Sequence, residues 1–142
     1  MRDVSQIEVL DRARAEGSLW VAVDESDKPV GFAWVRILDG VAHLEEIDVL
    51  PAHGRLGIGT ALVATVCNWA GSAGYKAVTL STFRDVPWNA PFYARHGFRP
   101  LDSGELTAGL SHLRELERGI GLRTDLRVIM RCETAAVRRP AR

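Results

Sequence analysis

Short runs of apolar residues, separated by turn-forming residues, mark the first part of this chain. Residues 19–23 and residues 30–38, the latter rich in Val, Ile, Phe and Trp, each predict a β-strand, with a turn at residues 24–29 between them. Asp39 and Gly40 then predict a tight hairpin, because a type I′ turn needs positive φ at both central residues. With a third strand over residues 41–50, the pattern predicts an antiparallel meander.

Ahead of this meander the spacing of apolar residues is helical. Ile7 and Leu10 lie three residues apart among charged neighbours. This spacing predicts a short amphipathic helix over about residues 5–15, stopped at Gly17. The helix would be the first element of the chain.

After the meander, the sequence pattern predicts a crossover connection between two parallel strands. Residues 53–60 are rich in glycine, and a helical period follows that ends near Gly71 or Gly74. Residues 77–80 then predict a strand. A strand, loop, helix and strand in this order join two parallel strands, so the predicted sheet is mixed.

The last part of the chain predicts two further helices and two strands. A short helix over about residues 89–95 ends at Gly97, and Phe98 begins the next strand. Leucines at helical spacing predict a helix over residues 105–118. Alternating apolar and polar residues over 126–132 predict a closing strand.

The composition is that of an ordinary globular protein. The chain has 142 residues, of which 46% are hydrophobic and 25% charged, and this fits one domain over residues 1–142 with residues 136–142 as a flexible tail. Lys+Arg and Asp+Glu both total 18. A net charge of zero argues against a nucleic-acid partner.

Membrane and metal partners are not expected either. No apolar run approaches the roughly 18 residues that cross a bilayer, and no signal-peptide core follows Met1. Cys67 and Cys132 are far apart and outside any CxxC pair, so neither a disulfide framework nor a zinc site is predicted. We expect a reduced, cytoplasmic protein.

The glycine-rich segment lies between a predicted strand and a predicted helix, where backbone N–H groups bind anions. It contains neither GxxxxGK[ST] nor GxGxxG. Instead, VLPAHGRLGIGTAL followed by NAPFYARHGF resembles the GCN5-related N-acetyltransferase (GNAT) family, over about residues 19–130. The resemblance implies an α/β (α+β) fold with a GNAT-like mixed central sheet and helices on both faces.

The resemblance also implies acetyl-CoA as co-substrate, with loop amides on its pyrophosphate. In the family the usual first residue of the loop motif is Gln or Arg. Here that position is Gly54, and Arg55 is expected to supply the missing charge. The alternative for Asn89 is a plain helix N-cap. The implied cofactor-binding residues are Val49 (through its backbone), Gly54, Arg55, Leu56, Gly57, Gly59, Thr60, Asn89 and Phe92.

Transfer to an amine requires a proton donor for the thiolate and a base for the ammonium. Tyr93 is the expected donor, the alternative being a core tyrosine. Strict alternation along the third strand puts His43 and Glu45 on one face and Glu46 and Asp48 on the other. In the family, bases often have the parity of His43 and Glu45. We favour Glu45, acting directly or through a water, with His43 second; both are otherwise partly solvated strand residues.

The function that follows is acetyl transfer from acetyl-CoA to a primary amine of a small molecule or peptide, by direct attack in a ternary complex. The alternative is an acyl-CoA-binding regulatory or structural module without turnover. Family members usually begin with a further strand and helix, and the first strand is expected to be missing here. An uncovered strand edge near residues 19–23 would favour a homodimer.

Overall fold

The computed structural model describes residues 8–14, 17–51 and 57–135, and it places seven strands in one mixed sheet of order β1-β2-β3-β4-β5-β7-β6. The tail predicted at residues 136–142 lies outside the described residues. The strands are β1 Glu8–Arg14, β2 Gly17–Val23, β3 Pro29–Leu38, β4 Val41–Val49, β5 Ala77–Phe83, β6 Arg99–Pro100 and β7 Arg127–Glu133. The helices are α1 Ile58–Ser72, α2 Ala90–Ala94 and α3 Ala108–Gly119, with short 3-10 turns at Ser103–Glu105 and Thr124–Leu126.

The front half of the sheet is an antiparallel meander, as predicted. Asp39 and Gly40, with φ of 54° and 76°, form the turn between β3 and β4. Its aspartate also ties the hairpin to the opposite part of the fold, because the Asp39 carboxylate accepts hydrogen bonds from the Thr107 hydroxyl and from the Gly109 amide, the latter at 2.8 Å. The hairpin thus fixes the start of α3.

The prediction for the start of the chain is wrong in two respects. Glu8–Arg14 is a strand that pairs antiparallel with β2. This segment is therefore not the predicted helix, and the first strand, which we expected to be missing, is present. Two apolar residues three apart fit either structure, and pairing with β2 decides between them. Residues 19–23 are consequently not a sheet edge, which removes the argument given for a homodimer.

Helices cover both faces of the sheet, which confirms the predicted architecture. α1 and α2 pack on one face, over a core to which Val35, Leu44, Leu62, Leu80 and Tyr93 belong. α3 lies on the other face, where the buried Glu117 accepts a hydrogen bond from the Ser81 hydroxyl at 3.2 Å. The side chains of β5 alternate between the two faces of the sheet. Val78 and Leu80 belong to the core under α1, whereas Ser81 faces α3.

A β-bulge in β4 changes which residues share a face. Trp34 pairs with Glu46, but the next residue, Val35, pairs with Leu44, so Glu45 is an extra residue in the strand. On the N-terminal side of the bulge His43 lies opposite Arg36, and on its C-terminal side Glu46 lies opposite Trp34. His43 and Glu46 therefore share the face away from α1.

The prediction that Glu46 and Asp48 lie on the opposite face from His43 is wrong for this reason. Asp48 pairs with Phe32, two residues from Trp34, and so keeps the face of Glu46. Strict alternation assumes one residue per step, and the bulge adds one. All the acidic side chains of β4 are consequently brought to the side of the sheet away from α1.

Candidate functional site

Strands β4 and β5 separate after a short parallel pairing. They pair only where residues 42–44 meet residues 78–80, although β4 runs on to Val49 and β5 to Phe83. The bulge at Glu45 begins at the residue where the pairing stops. The separation leaves a gap in the sheet, so backbone groups on the facing sides of the two strands are open to a ligand.

Two adjoining spaces lie along this gap. The first, which we call the splay cleft, has a volume of about 190 Å³. The second, the outer groove, has a volume of about 520 Å³ and extends toward the start of α1. Ile47, Asn89 and Tyr93 line both, so the two spaces adjoin at these residues. The splay cleft is further lined by Leu44, Glu45, Glu46, Leu80, Ser81, Thr82, Phe83 and Arg127, and the outer groove by Asp48, Val49, Pro51, Gly59, Trp88 and Phe92.

Tyr93 stands at the junction of the two spaces. Its ring packs edge-on against Phe92 and Phe98, with ring centroids 5.1 and 5.6 Å apart, and only 6% of the residue is exposed. Among the described residues, none hydrogen-bonds its hydroxyl. Burial raises the pKa of Tyr93 to about 12, so the phenol is protonated at neutral pH. A fixed ring with an unused hydroxyl in a cleft is a better description than a satisfied core tyrosine.

Asn89 occupies the N-cap position of α2 but does not cap the helix with its side chain. Its Oδ1 instead accepts a hydrogen bond of 2.9 Å from the hydroxyl of Thr82 on β5. This hydrogen bond fixes the orientation of the side-chain amide and uses its oxygen, not its NH₂ group. Asn89 therefore combines the predicted N-cap position with a side chain that lines both spaces.

Glu45, the favoured base, lines the splay cleft at the bulge. The Nε of Arg36 donates a hydrogen bond to its carboxylate and forms an ion pair with it. The contact uses only Oε1, so Oε2 can accept a proton either directly or through a water while the ion pair persists.

His43, the second candidate, is not part of either space. It is 2% exposed, and its Nδ1 lies 2.7 Å from the hydroxyl of Thr79 on β5. Burial lowers the pKa of His43 to about 4, and the positive charge of Arg36 adds to the effect. The imidazole is thus neutral at pH 7 and too weak a base for an ammonium. Its position is that of a buried link between two strands.

The described residues at the start of α1 fit an anion. Gly57 is its N-cap, with a φ of 77° that favours glycine, and the first turn carries no acidic residue. Gly59 faces the outer groove, where an added Cβ would lie 3.6 Å from the Phe92 ring. Thr60 instead lies 3.3 Å from Nε2 of His96 through its hydroxyl and does not line the groove. The predicted residues Gly54, Arg55 and Leu56 lie outside the described residues.

The splay cleft is also lined by polar side chains that were not predicted as site residues, among them Glu46, Thr82 and Arg127. The Arg127 guanidinium lies 5.1 Å from the centre of the Phe83 ring and donates to the backbone oxygen of Ser81 at 3.0 Å. It also lies 3.4 Å from a carboxylate oxygen of Glu117. Only the pairing of β5 with β7 brings Arg127 here, and nothing local in the sequence signals it.

Two negative findings concern the described part of the chain. In residues 8–14, 17–51 and 57–135 no group of three or more His, Cys, Asp or Glu side chains is placed to hold a metal ion. Among those same residues, none of the helices is both long and apolar enough to cross a membrane.

Comparison with known proteins gives consistent matches. The family model described as "Acetyltransferase (GNAT) family" matches residues 2–98. A relative named "Uncharacterized N-acetyltransferase YjcF", from Bacillus subtilis (strain 168), is 33% identical over 98 residues, which cover 68% of each chain.

Solved structures match in fold. The ribosomal-protein-S18-alanine N-acetyltransferase from Escherichia coli has a TM-score of 0.65 at 16% identity, covering 92% of this chain and 77% of that one. An acetyltransferase from Bacillus anthracis in complex with acetyl coenzyme A has a TM-score of 0.64 at 18% identity, covering 84% of this chain and 64% of that one. At these identities the structural likeness establishes the fold.

The buried His43 predicts a pH dependence of stability. Its folded pKa of about 4 lies below the unfolded value of 6.5, so the unfolded chain binds more protons between these values. We expect its contribution to be complete above pH 6.5 and to fall by about 3 kcal/mol as the pH drops to 4. Urea unfolding between pH 4 and 7 measures it. His43→Gln should lose this part of the slope and exposed His112→Gln should keep it; equal slopes in wild type and His43→Gln would contradict the assignment.

Proposed function

Because the chain belongs to the GNAT family of acetyltransferases, we propose that it transfers the acetyl group of acetyl-CoA to a primary amine of a small molecule or peptide by direct attack in a ternary complex. The comparisons confirm the family and the enzyme class, an N-acetyltransferase, that the sequence predicts. The identity of the amine, the order of the chemical steps and a cytoplasmic location are our proposals.

The observation that carries the proposal is that the outer groove and the splay cleft adjoin at Tyr93, which lines both. A long ligand lying in the outer groove can present its end at the junction, while a second ligand approaches through the gap in the sheet. Direct transfer needs this arrangement, because both reactants must be bound together and in contact.

Acetyl-CoA would be held mainly by backbone groups. The amides of the first turn of α1 have no partners within the helix, and they point toward the N-terminal end where the pyrophosphate would lie. The open side of β4 near Val49 offers peptide groups to the pantetheine, and the ring of Phe92 forms an apolar wall. Gly59 allows close approach, since it adds no side chain to the groove.

The proposed chemistry uses one bond exchange. The neutral amine attacks the thioester carbonyl carbon, the new C–N bond forms, and the C–S bond then breaks. An N–H group of the open β4 edge near Val49 stabilises the oxyanion. The departing thiolate takes a proton from the Tyr93 hydroxyl. The raised pKa of Tyr93 keeps this hydroxyl protonated before the C–S bond breaks. The proton lost by the attacking nitrogen goes to the base.

We propose that Glu45 receives this proton, directly or through a water, at the carboxylate oxygen that Arg36 does not contact. Glu46, which the bulge places on the face of His43, is a second carboxylate in the same cleft and lacks that ion pair among the described residues. His43 has neither the exposure nor the basicity for the role. The base is therefore sought among the two carboxylates of the bulge.

The first prediction tests turnover and the role of Tyr93. With acetyl-CoA and a panel of primary amines, thiol release should depend on the amine. Tyr93→Phe should lower kcat about 100-fold or more, with acetyl-CoA affinity nearly unchanged, because the lost interaction occurs only in the transition state. Tyr75→Phe, at the far end of α1 against Trp69, is the matched control and should keep the wild-type rate.

Two results would count against this. Binding of acetyl-CoA by calorimetry without release for any amine would mean that the chain is an acyl-CoA-binding module. Full activity in Tyr93→Phe would mean that the thiolate takes its proton from solvent.

The second prediction concerns the base. Glu45→Gln should remove the acidic limb of the pH dependence of kcat/KM, with activity returning in part at high pH, where the amine loses its proton unaided. Glu46→Gln, a neighbouring carboxamide of the same size, should retain that limb. If Glu46→Gln loses the limb while Glu45→Gln keeps it, Glu46 is the base and our assignment is wrong.

A further inference from the structure

A third space lies on the sheet face away from α1, at the end of β3 that is remote from the Asp39 turn. It has a volume of about 490 Å³, within the range of pockets that hold small organic molecules. Its described lining is almost wholly apolar and includes Leu19, Val21, Phe32 and Leu50; among the described residues that line it, Asp48 alone is charged. We call it the apolar groove.

The strand register explains why apolar side chains gather there. Val21 of β2 lies opposite Phe32 of β3, and Phe32 lies opposite Asp48 of β4, so these three side chains form one row across the sheet. α3 packs on the same face but is held at Asp39 and over Ser81. Among the described residues, no hydrogen bond joins α3 to Val21, Phe32 or Asp48.

Asp48 connects the apolar groove to the candidate site. It lines both the apolar groove and the outer groove, and the neighbouring acidic residue Glu46 lines the splay cleft. Among the described residues, a ligand in the apolar groove therefore meets a carboxylate at Asp48 alone, where the groove borders the outer groove that Tyr93 also lines. An ammonium group placed there would gain charge-assisted hydrogen bonds, while its apolar body would leave water.

We propose that the acceptor is a primary amine with an aryl or branched alkyl body, that the body fills the apolar groove, and that Asp48 holds the ammonium where the apolar groove meets the outer groove. This inference rests on the proposed function and names its substrate class. Polyhydroxylated amines and polyamines fit poorly, because their polar groups would lose water against Leu19, Val21 and Phe32 without gaining partners.

The test compares amines that share the reacting group. We expect kcat/KM for 2-phenylethylamine and isoamylamine to exceed that for ethanolamine and putrescine by about 10- to 100-fold. Val21→Asn should remove most of this preference, and so should Leu50→Asn, whose exposed position leaves folding intact. Asp48→Asn should raise KM for 2-phenylethylamine about 10-fold. Ile120→Asn, at the exposed end of α3, is the control and should behave as wild type.

A binding measurement separates this proposal from the proposed function. Saturable binding of 2-phenylethylamine in the presence of coenzyme A, weakened by Leu50→Asn, supports the apolar groove even if no amine is acetylated, in which case only the proposed function fails. Turnover of all four amines with equal kcat/KM, unchanged in Leu50→Asn, would overturn the inference and leave the function standing. A preference for octanoyl-CoA over acetyl-CoA that Leu50→Asn removes would assign the groove to the acyl chain and also overturn it.

Discussion

The short parallel pairing between β4 and β5 is the feature on which the rest of the site depends. Hydrogen bonding stops after residues 42–44 meet residues 78–80, yet both strands continue. Buried backbone N–H and C=O groups need partners, so a sheet that opens in its middle requires something else to satisfy them. A ligand with its own amide groups, such as the pantetheine of acetyl-CoA, meets this requirement. We therefore propose that the gap is where the cofactor binds.

The elements around the gap bring candidate groups to it. α1 starts beside it and directs its N-terminus to the outer groove, and α2 places Tyr93 where the splay cleft and the outer groove adjoin. The bulge at Glu45 puts Glu46 and Asp48 on the face of His43, away from α1. In the function we propose, the cofactor lies in the outer groove and the body of the acceptor lies in the apolar groove, with Asp48 lining both.

The sequence predicted features that depend on local chemistry. The Asp39-Gly40 turn, α1 after its glycines and the short helix carrying Tyr93 follow from turn residues and apolar spacing, and the structure has them. What it could not predict depends on partners distant in the chain. Pairing with β2 makes Glu8–Arg14 a strand, and pairing with β5 brings Arg127 to the cleft. No local sequence signal marks the bulge at Glu45, so the sequence assigned Glu46 and Asp48 to the wrong face of the sheet.

Hydrogen–deuterium exchange with and without acetyl-CoA tests the central claim, that the gap between β4 and β5 receives the cofactor. Residues 45–49 lie beside the open gap, whereas residues 42–44 of the same strand are already paired with β5. Bound acetyl-CoA should slow exchange in residues 45–49 and in the first turn of α1, and leave residues 42–44 unchanged. Saturating acetyl-CoA that leaves exchange in residues 45–49 unaltered, or that slows residues 42–44 equally, would contradict the account.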